Sequence, residues 1–106
     1  MAKSIIQSRK GQCYLCVLFG QNNQDNRTDL EEHHVIFGTA GRKFSEKYGL
    51  KVYLCQAHHR TGSNAVHKDK EVALLLKQIG QYAFECKYDH AKFMAEWGKN
   101  YIDVED

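Results

Sequence analysis

Two half-sites of equal spacing constrain this chain more than any other feature: Cys13-x-x-Cys16 and, about 40 residues later, Cys55-x-x-His58. A two-residue spacer lets both side chains of one turn converge on a single ion. Zinc takes four ligands tetrahedrally, and Cys3His is a recognised structural set. Joined, the halves would clamp the N-terminal turn onto the element that ends at Cys55. Two other readings of Cys13 and Cys16 compete. A redox pair usually opens a helix after a strand in a thioredoxin-like unit, and the polar loop that follows does not fit. The other is burial as two small apolar residues. Cys86 has no partner at ligand spacing and reads as a core or surface thiol.

At 106 residues, the expectation is one domain, residues 1–106. A domain this small buries a modest core, which a metal staple would reinforce. Hydrophobic residues at 42% and charged residues at 26% exclude a disordered composition. A net charge of +2 permits a nucleic-acid partner without demanding one. The start, MAKSIIQSRKGQ, has two consecutive large apolar residues, where a secretory signal needs roughly 7–15. No run approaches the roughly 18 of a membrane span. The chain is therefore expected to be cytoplasmic, with no membrane partner. Thiols stay reduced there, so paired cysteines read as ligands rather than disulfides.

Residues 1–12 are polar and basic, with Lys3, Arg9 and Lys10, and lead into a tight CxxC turn flanked by Val17, Leu18 and Phe19. GQNNQDNRT (20–28) reads as a polar loop. Asp29 to Phe37 reads as a strand, Gly38 to Gly41 as a flexible break, and Arg42 to Tyr48 as a short helix closed by Gly49. LKVYLC (50–55) is a second strand, rich in β-formers. The strands lie too far apart for a tight hairpin but can pair across the intervening helix. Arg60 to Asn64 interrupts regular structure. A helix follows from Asp69, its N-cap, to Glu85, with Val72, Leu75, Leu76, Ile79 and Ala83 on one face. Gly80 costs about 1 kcal/mol relative to Ala, so an end or bend is expected there. A last helix from Asp89 carries Phe93, Met94 and Trp97 and stops near Gly98.

Five of the six histidines fall between Glu31 and His67. With His58 assigned to the knot, His33, His34, His59 and His67 remain. Imidazole is both the commonest metal ligand and the side chain best suited to proton transfer near neutral pH. The pair His33-His34 suggests a division of labour, one ligand and one base, with His59 and His67 completing a second metal set. That combination suits phosphodiester cleavage, which needs an activated water and a positive centre for developing charge. Strand neighbours point to opposite faces, so both can serve one phosphate only at an irregular point or across a strand edge. A lone histidine is more often a surface or core residue than a ligand, and His90 is read that way.

The order CxxC, histidine pair at a strand end, then strand-LCxxHH resembles the HNH endonuclease family. From Cys13 to about Gly98 the chain is similar to small phage- and prophage-type HNH proteins, through EEHHVIFG, RKFSEKYGLKVYLC and HH…NAVH. The resemblance implies a small α+β domain: a ββα-metal (His-Me finger) core with a Cys3His zinc knot, extended by C-terminal helices. It implies that His33, His59 and His67 hold the catalytic ion, that His34 is the general base, and that Cys13, Cys16, Cys55 and His58 hold structural zinc. It also implies products with 5′-phosphate and 3′-hydroxyl ends. The family often places an asparagine before the LC of the second strand to orient the base. YGLKVYLC has none, leaving three alternatives: a backbone carbonyl orients the base, Asn64 does, or the base is poorly held and activity is low.

The working ion is expected to be Mg²⁺, Mn²⁺, Ni²⁺ or Zn²⁺, and the chain a monomer or homodimer. Arg42, Lys43, Lys51 and Arg60 are candidate phosphate contacts, with Lys47, Lys68 and Lys70 nearby; such contacts set affinity rather than sequence preference. Nicking of DNA with low sequence specificity is the expected activity, and RNA is a second possible substrate. The alternative is a zinc-stabilised nucleic-acid-binding or protein-docking module without catalysis.

Overall fold

The computed structural model describes residues 3–7, 11–21, 27–37 and 39–102. Arg9, Lys10, the middle of the polar loop (22–26) and Gly38 lie outside the described residues. The chain is a small α+β structure. It runs α1 (Tyr14–Leu18), β1 (Glu31–His34), α2 (Thr39–Tyr48), β2 (Lys51–Leu54), a π-helical turn (Ala57–Thr61), α3 (Lys70–Lys87) and α4 (His90–Trp97). Among the described residues no helix is long and apolar enough to cross a membrane.

β1 and β2 pair antiparallel, in the register Glu31↔Leu54, Glu32↔Tyr53, His33↔Val52, His34↔Lys51. β1, EEHH, has little intrinsic β preference and owes its conformation to KVYL across the ladder. Both strands are shorter than the sequence suggests, four residues each. The helix expected between them begins earlier, at Thr39, inside the stretch read as a break. Ser45 anchors α2, donating its hydroxyl to the Ile36 carbonyl at 2.8 Å. Gly49 closes α2 at φ +76°, and a Cβ there would also lie 2.0 Å from the Lys3 carbonyl oxygen. That contact belongs to the N-terminal segment along β2: Ile5 donates its N–H to Gly49 O at 2.9 Å, and Tyr53 donates to Gln7 Oε1 at 2.8 Å.

The CxxC turn continues into the short helix α1, which spacing alone did not indicate. Asp69 caps α3, accepting from the backbone of Glu71 and Val72. Asp89 caps α4 in the same way, and Gly98 ends it. The C-terminal helices join the rest through rings: Phe93 stacks on Trp97 at 4.6 Å, and Phe84 meets Trp97 at 5.1 Å and Tyr48 at 5.2 Å. Tyr48 also donates its hydroxyl to Glu96.

α3 does not end at Gly80 but runs on to Lys87. Gly80 is where α3 meets the end of β1, and a Cβ there would come 2.5 Å from Val35 Cγ2. Propensity alone predicts that Gly80→Ala gains about 1 kcal/mol. Overpacking of this kind costs about 1–3 kcal/mol, so a net loss is expected, read as a lower urea midpoint with an unchanged slope.

Two candidate metal centres

The four residues of the half-sites converge. Cys13, Cys16, Cys55 and His58 are all buried and each offers a ligand atom within 4.8 Å of the others. His58 Nδ1 lies 3.5 Å from Cys13 Sγ, 3.4 Å from Cys16 Sγ and 3.5 Å from Cys55 Sγ. Cys16 Sγ and Cys55 Sγ are 3.9 Å apart, so they are not bonded, and all four cysteines are free. A tetrahedral ion with Zn–S near 2.3 Å and Zn–N near 2.05 Å has edges of about 3.8 Å (S–S) and about 3.6 Å (S–N). The observed spacings are those edges, so the group could hold a metal ion, and structural zinc fits.

The thiols also show why a cation belongs there. Burial, with the Cys13 and Cys55 thiols beside it, pushes Cys16 up to about 12. Burial opposes the Cys55 thiolate too, but the His58 backbone, the Cys13 and Cys16 thiols and the Arg27 guanidinium bring its pKa below the usual value. One thiolate forms at its neighbour's expense unless a cation balances them. Structural zinc contributes roughly 10–16 kcal/mol in small peptides, as much as the whole stability of most domains, about 5–15 kcal/mol. Chelation is therefore expected to abolish cooperative unfolding in circular dichroism, and Cys55→Ser to release one ion per chain and lower Tm sharply.

The second group is His33, His59 and His67. His33 projects from β1. His59 comes from the π-helical turn and His67 from the loop that returns to it, with the His67 N–H donating to His59 O at 3.4 Å. Ring centroids are 5.2 Å apart for His33–His59, 5.2 Å for His33–His67 and 4.8 Å for His59–His67. The Nε2 atoms of His59 and His67 lie 3.1 Å apart, near the N–N edge of about 3.3 Å expected around a tetrahedral ion. Glu31 Oε1 sits 2.5 Å from His59 Nδ1. A carboxylate on the far nitrogen fixes the tautomer and turns Nε2 toward a ligand.

His33 is 3% exposed. Its Nε2 is the buried side-chain nitrogen or oxygen left without a hydrogen-bond partner among the described residues. Burial, then the facing His59 and His67, push its pKa down to about 3. His67 is lowered as well, by burial and then by His59 and Arg60. His33 is thus a neutral imidazole whose Nε2 meets no hydrogen-bond partner among the described residues, and this donor set could hold a metal ion.

The depressed pKa has a consequence for stability. The unfolded chain takes up a proton on His33 near 6.5, whereas the folded one refuses it until about 3. Stability present above pH 6.5 is therefore lost as pH falls through that window. The wild-type urea midpoint should drop more between about pH 7.5 and about pH 5 than that of His33→Gln.

A cavity of about 270 Å³ opens beside the triad. His33, His59 and His67 line it together with Glu32, His34, Phe37, Arg42 and Arg60. Both members of the adjacent pair therefore reach one space, because β1 ends at His34 and the cavity lies across that end. Of the expected phosphate contacts, Arg42 and Arg60 line it, with Arg60 Nε 3.4 Å from Glu31. Lys43 is exposed on α2 outside the lining. Lys47 lies over the Tyr48 ring, Lys70 is exposed at the start of α3, and Lys68 donates to Thr61 O at 3.2 Å.

Lys51 differs from expectation. It is 2% exposed, and its ammonium lies 3.1 Å from Glu32 and 3.3 Å from Glu46. Burial works against that ammonium, but the two carboxylates outweigh it and raise its pKa. Such a group is spoken for inside the protein. His90 is exposed and pairs with Glu85 at 2.6 Å, and Cys86 is exposed.

Two partners escaped sequence reasoning. Glu31 had a legible signal: it lies two residues before His33, on the same strand face. Glu46, 2.8 Å from His34 Nε2, had none, because its place depends on how α2 docks. No family model, curated protein or solved structure matches this chain.

Proposed function

We propose that this chain is a metal-dependent endonuclease of the HNH type that hydrolyses phosphodiester bonds in DNA. The observation that carries it is the partnerless buried Nε2 of His33, facing His59 and His67 in a cavity that His34 also lines. The order of two antiparallel strands followed by a helix supports the ββα-metal arrangement that the sequence resemblance implies. Structural zinc occupies the Cys3His knot. The second ion sits on His33, His59 and His67. An all-imidazole set favours Ni²⁺ or Zn²⁺ over Mg²⁺ and Mn²⁺.

When bound, that cation supplies electrophilic stabilisation to the phosphoryl and leaving oxygens. The chain's own residues do the rest. Arg42 and Arg60 draw a backbone phosphate into the cavity by charge, without reading sequence. His34 accepts the proton of the attacking water. Glu31 holds the His59 ring in place. One such site cuts one strand at a time, so nicking is the expected outcome.

A supercoiled plasmid tests this. Wild type should convert it to open circles with at least one of the four ions. His34→Ala should be slower by about 100-fold or more, the low end for a lost general base, while keeping its fold and its bound metal. RNA offered to the same preparation tests the ribonuclease variant. A second reading has its own support: Val17, Leu18 and Phe19 are exposed at 52%, 45% and 37%, an apolar corner suited to a docking module without catalysis. A wild type inert with all four ions decides for that reading.

A further inference from the structure

The cluster on the other face of the strand pair belongs to no metal centre described above. β1 alternates, so Glu32 and His34 share a face, and the register places Lys51 directly across from His34. Glu46 reaches the same spot from α2. His34 Nε2 lies 2.8 Å from Glu46 Oε1 and 3.9 Å from Glu32 Oε1. Lys51 Nζ lies 3.3 Å from both oxygens of Glu46 and 3.1 Å from Glu32 Oε2.

Glu32, His34 and Glu46 approach one another as closely as a metal-ligand set. The buried ammonium of Lys51 already holds the cationic place between the two carboxylates, so a second ion there would have to displace it. The geometry supports a different role. A carboxylate only accepts hydrogen bonds, so the 2.8 Å contact requires a proton on Nε2 of His34. Nδ1 is then the basic nitrogen, and it has no protein partner among the described residues. Glu46 cannot swing away easily: Lys51 holds both its oxygens, and Ser45, the preceding residue, ties α2 to the end of β1.

We propose that Glu46 is the positioning residue of His34, locked by Lys51, so that a carboxylate from α2 does the orienting for which the chain has no asparagine before its second strand. This rests on His34 as the general base. Glu46 fixes the tautomer and ring angle of His34 and touches neither substrate nor ion. Lys51 aligns the carboxylate.

The experiment compares wild type, His34→Ala, Glu46→Ala and Glu46→Gln, all loaded with metal. Nicking of a fluorescently labelled duplex gives kcat and KM, and ring ¹⁵N shifts give the His34 tautomer. Glu46→Ala should lower kcat about 10–100-fold, the range for losing a group that orients another, with KM unchanged and the Nε2–H tautomer no longer dominant. Glu46→Gln keeps an oxygen acceptor, so it should restore the tautomer and most of kcat. If wild type cuts and His34→Ala does not, yet Glu46→Ala matches wild type in kcat and tautomer, the positioning role is overturned and the nuclease reading stands. If Glu46→Ala fails to fold, Glu46→Gln decides: a wild-type tautomer supports the role, a lost one overturns it. A wild type that cuts nothing with any ion sinks the nuclease reading and any catalytic positioning with it.

Discussion

The rest of the structure depends on three thiols and an imidazole meeting at one point. The N-terminal part of the chain lies along β2 through Ser4, Ile5 and Gln7, and β2 is only four residues long. A metal ion on Cys13, Cys16, Cys55 and His58 would hold what a core of this size holds weakly. It also aims the next residue. His58 and His59 are consecutive, both nearly fully buried at 3% and 4% exposure, yet they serve different clusters. A π-helical turn, the rare form that recurs at functional sites, carries them. The knot fixes His58, and the His59 ring follows from it.

From there the architecture is set by the twofold alternation of a strand. Glu31 and His33 point to one face of β1, Glu32 and His34 to the other. Each face pairs acid with imidazole. On the first, Glu31 holds His59 beside His33. On the second, Glu32 and Glu46 gather Lys51 and His34. Hydrogen bonds from His59 lower the Glu31 pKa, and those from His34 and Lys51 lower that of Glu46, so the carboxylate form of both acids is favoured. Two neighbouring histidines on opposite faces can still line one cavity because the strand is short. β1 stops at His34, and a cavity across its end meets both faces.

What could be read beforehand divides along physical lines. The knot was legible because ligand spacing is a local constraint that only one partner pairing satisfies. The Asp69 cap and the closure of α2 at Gly49 were legible because capping chemistry is local too. The histidines of the second site stood out by their density. Gly80 was misjudged because its cost in a free helix is local while its use, admitting Val35, is tertiary. Lys51 was misjudged for the same reason. A lysine on a short strand looks solvated until the helix between the strands brings Glu46 over it.

The interior makes the strongest case for a ligand. Beside its apolar side chains it buries His33, Ser45, Lys51, His58, His59 and Gln81. A buried polar group without a partner costs about 1–3 kcal/mol, so each should be matched, and nearly all are. Ser45 bonds Ile36, and Lys51 two acids. Gln81 takes Glu85, Asn100 and Tyr101. His58 faces three thiols, and His59 is held by Glu31. Among the described residues only the Nε2 of His33 is left over. It faces two further imidazoles instead of an oily wall. Protonation does not relieve it, because burial holds its pKa near 3. A hydrogen-bond donor could satisfy that one atom, but it would leave unexplained why His59 and His67 bring their Nε2 atoms to 3.1 Å. A cation held by the three imidazoles would account for both features.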